Sequence, residues 1–96
     1  MIKIEFKERE IVAKGHADYC TDGGEDIVCE AFTCLCYTLI NAIEDATGQL
    51  PRHEIRGGYF HIIKEQETEI TRVLFRAFYI GVRLLAYTYP ENVKIV

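Results

Sequence analysis

A chain of 96 residues has room for one domain, 1–96, and one small core. Its 11 basic against 15 acidic side chains, net −4, argue against a free-standing nucleic-acid binder, which needs a basic face to displace counterions; a basic partner is easier to accommodate. No apolar run reads as long enough to cross a membrane and no signal peptide opens the chain, so the expectation is a cytoplasmic protein whose four cysteines stay thiols.

"MIKIEFK" alternates, Ile2, Ile4 and Phe6 on one face and Lys3, Glu5 and Lys7 on the other, which predicts a half-buried strand. "KERE" is a polar turn. "EIVAKGHA" makes the second strand of a hairpin, with Val12, Lys14 and His16 on one face and Ile11, Ala13 and Gly15 on the other. Residues 17–25 read as a loop, built on the turn formers Asp18, Thr21, Asp22, Gly23 and Gly24. A helix then runs from Asp26, a good N-cap, to Thr47, with Gly48 as its stop. Its apolar stripe is Val28, Phe32, Leu35, Leu39, Ala42, Ile43 and Ala46, while Glu30, Tyr37, Asn41 and Glu44 look outward.

"HEIRGGYFHIIKE" predicts a second hairpin turning at Gly57-Gly58, with Pro51 closing the loop before it. A second helix spans Glu67 to Tyr87. Ile70, Val73, Leu74, Ala77, Gly81, Leu84 and Leu85 are expected to face the sheet. Phe75, Phe78, Tyr79, Val82 and Ala86 form a second stripe, and Arg72, Arg76 and Arg83 a narrow basic edge. A helix apolar over most of its circumference in so small a domain points to a subunit interface, hence a homodimer. "NVKIV" is a last short strand. The order ββαββαβ predicts an α+β fold, a two-layer sandwich of two helices on a mixed sheet.

Chemistry concentrates in "GHADYCTDGGEDIVCEAF", residues 15–32. With Asp26 as cap, Cys29 is the third residue of the first helix, where unpaired N–H groups and the helix dipole favour a negative sulfur. The same N–H groups suit an oxyanion formed during acyl transfer. A Cys29–His16 pair, with Asp26 positioning the ring or capping the helix, follows the logic of a cysteine nucleophile and its base. The plain alternative is a small buried apolar cysteine and a surface histidine. Against it, Cys29 lies off the apolar stripe, beside Thr33, and the loop 17–25 is rich in glycine and acid, as a lid would be.

"GHA" at 15–17, a loop, then "DIVC" at 26–29 resembles the ribosomal-processing cysteine protease family of certain bacteria. The resemblance covers the whole chain in length and element order and is specific over residues 14 to 40. It implies that His16 and Cys29 are the catalytic pair, with Gly15 and Asp26 at supporting positions. It further implies a substrate: the short N-terminal extension of a large-subunit ribosomal protein, number twenty-seven, a basic extended peptide. No cofactor or metal is implied. Two positions depart from the pattern. Glu30 stands where the family has a small residue, and Thr33, which keeps the hydroxyl, where it has a serine.

Other candidates carry less. Cys34 and Cys36 point about 200° apart on a helix and cannot chelate one ion together; Cys36 is expected buried and Cys34 partly exposed. Under oxidation Cys20 can pair with Cys29; alternatively it joins Cys29 and His16 around zinc, a weak ligand set. His53 and His61 read as surface or sheet-face residues, and the arginines as a solvated edge or a holder of phosphate or carboxylate. Competing with the protease are a non-catalytic ribosome-associated assembly or binding factor and, third, a thiol-redox or metal sensor.

Overall fold

The strand and helix signals resolve into β1 (Ile2–Phe6), β2 (Glu10–Lys14), α1 (Ile27–Thr47), β3 (His53–Arg56), β4 (Tyr59–Ile63), α2 (Glu69–Thr88) and β5 (Val93–Ile95) in a computed structural model that describes residues 1–20 and 23–96. The order is the expected ββαββαβ. The five strands form one mixed sheet in the order β3-β4-β2-β1-β5; β1 and β5 run parallel and the other pairs antiparallel. Register places Ile4 opposite Ala13, Ala13 opposite Phe60 and Ile2 opposite Val93. Because side chains alternate along a strand, these inward residues form one apolar face, buried under both helices. Lys3, Lys14, Glu54 and Lys94 are exposed on strands of the same sheet.

α1 starts and stops where its caps dictate. The Asp26 carboxylate accepts from the Cys29 N–H, and Gly48 takes the left-handed conformation (φ 76°) that lets its N–H reach the Glu44 carbonyl. Its buried face is Val28, Phe32, Cys36, Leu39, Ile40 and Ile43. Ala46, expected in the stripe, is exposed, and Leu35 and Ala42 are half-buried. The difference arises because α1 covers two surfaces. Leu35 packs on Gly81 of α2, where a Cβ would come within 2.9 Å of Leu35 Cδ2. Cys36 lies over the sheet beside Ala13 and Phe60.

α2 corrects the expectation more strongly. Ile70, Val73 and Leu84, predicted to face the sheet, are 54, 62 and 61% exposed, whereas Phe78 and Val82 are buried. The aromatic stripe takes the inner face because Phe78 completes a three-ring contact with Phe32 and Phe60, at 6.3 and 5.9 Å between centroids. Phe32 and Phe60 meet edge to face at 6.4 Å. The helix also begins later than predicted. Thr68 caps it reciprocally with Thr71, whose buried hydroxyl donates to the Gln66 carbonyl.

One expectation about membranes also changes. By length and composition α1 could span a bilayer, with a mean hydropathy of 1.4 over its most apolar window. Here its apolar side is committed to the sheet and α2, and its outer side carries exposed Glu30, Asn41, Glu44 and Asp45.

Candidate active site

The site begins where β2 ends. Gly15 follows Lys14 with φ 103°, and a Cβ there would fall 2.1 Å from the Met1 carbonyl oxygen, so no side chain fits without moving the first strand. The Gly15 N–H donates to the Gly58 carbonyl at 2.9 Å, tying the end of β2 to the β3–β4 turn. His16 comes next. It is exposed and hydrogen-bonds to no other described residue, and its imidazole lies directly over Gly58. A Cβ on Gly58 would meet Nε2 at 2.7 Å. Beyond it the chain is held again: Ala17 is buried and its carbonyl accepts from Asn92 Nδ2 at 2.8 Å. The sequence marks Gly58 only as a turn residue with positive φ; its contact with His16 joins positions far apart in the chain and leaves no local signal.

Cys29 is the third residue of α1, half-buried against the core. Its N–H donates to Asp26 Oδ1 at 2.9 Å, and its carbonyl accepts from Thr33 Oγ1 at 2.8 Å. The second Asp26 oxygen accepts from the Tyr19 N–H at 3.2 Å, and the Tyr19 ring packs edge-on against Tyr89 at 5.3 Å. Of the two roles expected for Asp26, the geometry displays the cap. Both oxygens are engaged by backbone N–H groups, and one carboxylate fixes the helix start and the incoming loop together. Thr33 spends its hydroxyl on its own helix. Cys29, Thr33, Gly15 and Gly58 line one small pocket of about 40 Å³, with Arg56 and Tyr59 also on its lining. The Arg56 guanidinium stacks over Tyr59 at 4.4 Å and its Nε contacts Glu54 Oε2 at 2.9 Å. Gly15, Cys29 and Thr33 thus share one pocket, which Asp26 adjoins through the Cys29 N–H; His16 is not on its lining and touches Gly58, which is.

The remaining candidates fall elsewhere. Cys36 is buried, which pushes its thiol far up, while Cys20 and Cys34 are exposed and all four cysteines are free. Among the described residues no three His, Cys, Asp or Glu side chains gather as a metal site, so the zinc set of Cys20, Cys29 and His16 is not assembled. His53 Nδ1 contacts the Pro51 carbonyl, and His61, half-buried on β4, lies 3.3 Å from Glu10. In the expected lid, Thr21 and Asp22 lie outside the described residues, and Ala17 and Tyr19 are anchored as above. Glu30 is exposed, as expected.

A family model described as the cysteine protease Prp matches residues 1–94. Over 97 aligned positions the chain is 26% identical to the ribosomal processing cysteine protease Prp of Staphylococcus aureus, spanning 98% of this chain and 91% of that protein. The crystal structure of S. aureus Prp with a covalently linked product peptide superposes with a TM-score of 0.81 at 23% identity, covering 98% and 94% of the two chains. A crystal structure from Streptococcus mutans superposes at 0.76 with 30% identity, covering 99% and 91%. A second S. aureus Prp structure, in complex with a substrate peptide, gives 0.72 at 20% identity, covering 99% and 95%. With a family match that runs from the first strand into the last, on a shared fold, the chain belongs to the family of the cysteine protease Prp.

Proposed function

We propose that this cysteine protease removes the N-terminal extension of a large-subunit ribosomal protein, number twenty-seven, with Cys29 as nucleophile and His16 as general base and then acid. The observation that carries the reading is the convergence of Cys29, at the start of α1, with Gly15 and Gly58, the latter lying under the His16 ring. In this reading the Cys29 thiol proton passes to the imidazole and Sγ attacks the scissile carbonyl carbon. The C–N bond breaks as His16 returns the proton to the leaving amine, leaving a thioester. Water then adds, giving up a proton to His16; the C–S bond breaks and the sulfur recovers its proton. The developing oxyanion takes first-turn N–H groups. Those of Cys29 and Glu30 are already given to Asp26; those of Ile27 and Val28, which have no acceptor among the described residues, are the donors in this reading.

An extended, basic peptide suits the site. Glu30 stands exposed one position after the nucleophile, and relatives bear the name ribosomal processing protease or are solved with a substrate peptide. In the same reading two copies associate through α2, and the protein works in the cytoplasm. Peptides spanning the extension, incubated with the native protein and with Cys29→Ala and read by mass spectrometry, test the reading. A single cut by the native protein alone is expected; binding without a cut by either protein would replace the protease by an assembly factor.

A further inference from the structure

Arg72 and Arg76 sit one turn apart on α2, and Arg83 follows two turns later on. Among the described residues no carboxylate forms an ion pair with any of the three, or with Lys64. In a chain with an excess of acid, unpaired cations at one place call for an explanation. Aromatic rings hold three of the four instead. The Arg76 and Arg83 guanidinium groups lie 5.3 and 5.6 Å from the Tyr79 centroid, and Lys64 Nζ 5.4 Å from that of Phe75. Lys64 also donates to the Lys7 carbonyl at 3.2 Å. Stacking positions a guanidinium and leaves its in-plane N–H groups for another partner.

Lys64, Arg72 and Arg76 line a pocket of about 300 Å³ whose apolar lining includes Phe6 and Phe75. One carboxylate, Glu67, shares the lining, so three positive charges less one negative leave it at +2. The pocket lies at the Phe6 end of β1, while the Cys29 pocket lies at the Ile2 end. At about 3.3 Å per residue the two are roughly 13 Å apart along the strand. A basic peptide engaged at Cys29 has no complement here.

We propose that this pocket is a second binding site, for a nucleoside phosphate. Its phosphate sits among Arg72, Arg76 and Lys64, and its base rests against Phe6 and Phe75. A carboxylate carries one charge and two oxygens. A phosphate monoester carries nearly two charges and three acceptor oxygens, which match a +2 lining and two forked donors. The volume is at the lower end of the range for small-ligand sites, enough for one nucleotide. The nucleotide comes either free or as one unit of a single-stranded RNA.

Nuclear magnetic resonance titration of the full chain tests this, with inorganic phosphate, adenosine monophosphate and a uridine hexanucleotide as probes. Saturable shifts are expected at Phe6, Lys64, Arg72, Phe75 and Arg76. Arg72→Gln with Arg76→Gln weakens binding at least about tenfold and leaves peptide cleavage unchanged. Glu67→Gln, which removes the one negative charge, tightens it. Binding of the monophosphate identifies a free nucleotide as sufficient; binding of the hexanucleotide alone assigns the site to RNA. The proposal is overturned if no probe binds more tightly than about 1 mM, if binding survives the double substitution unchanged, or if inorganic phosphate binds as well as both nucleotides.

Discussion

The imidazole of His16 rests on Gly58, which has no side chain to displace it: a Cβ there would lie 2.7 Å from Nε2. Gly58 also has φ 75°, so an alanine is strained as well as obstructed. Gly48 supplies the control, with φ 76° and nothing within 4 Å of its Cβ position. Both Gly58→Ala and Gly48→Ala are expected to cost about 1–2 kcal/mol of stability, from the left-handed backbone. Only Gly58→Ala should also lower peptide cleavage, by tenfold or more on the order expected for a misplaced base. Thermal unfolding and cleavage assays on the two variants make the comparison.

Thiol reactivity checks the catalytic pair directly. Brief alkylation of the native protein, read by peptide mass spectrometry, should modify Cys29 at least about tenfold faster than exposed Cys20 and Cys34. Buried Cys36 should react only on unfolding. His16→Ala should erase the lead of Cys29, and Cys29→Ala should abolish cleavage while leaving the unfolding midpoint nearly unchanged. A native protein in which Cys34 reacts first would sink the dyad.

Asp26 joins two backbone N–H groups, those of Cys29 and Tyr19. Asp26→Ala should therefore cost about 1–2 kcal/mol, the upper part of the range for a lost N-cap. Asp26→Asn keeps one oxygen for Cys29 and should recover roughly half of that. Equal losses in the two variants, measured by chemical denaturation, would mean that charge rather than acceptor geometry holds the helix start.

Burial pushes the Cys36 thiol up, above its value in the unfolded chain. A raised folded-state value means that the unfolded chain releases this proton first as pH rises. The contribution is complete below about pH 8.5 and is lost above it, at roughly 1.4 kcal/mol per pH unit. Denaturation between pH 9 and 11, compared for native protein and Cys36→Ala, should show that slope only in the native chain. The variant starts from a lower plateau because of the cavity left in the core.

The outer face of α2 exposes Ile70, Val73, Ile80, Leu84 and Tyr87 in line. If two copies meet there, light scattering should give twice the chain mass of 11.1 kDa for the native protein. Val73→Glu with Leu84→Glu should give the monomer at equal concentration. A native protein that is monomeric in the micromolar range removes α2 as an interface.

What could be read from the chain follows from the range of the forces involved. Asp26 and Gly48 bracket α1 through hydrogen bonds a few residues long, so both ends were visible in the sequence. The hairpin turn at Gly57-Gly58 was visible for the same reason. The inner face of α2 was not. Two apolar stripes compete for it, and Phe78 wins through Phe32 and Phe60, on elements that helical periodicity does not see. In the site, Gly15, Asp26 and Cys29 were legible as a motif and the Asp26 cap is local, but the seat of His16 on Gly58 exists only once β4 pairs with β2.

That seat has a bearing on when the site is complete. A ribosome that has released only the first half of this chain has already made His16 and Cys29. It has not yet made Gly58, whose carbonyl holds Gly15 and whose bare Cα supports the ring. The seat of the His16 ring is therefore completed only by the second hairpin, so a fragment that ends before Gly58 holds both side chains of the pair without the contact that positions one of them.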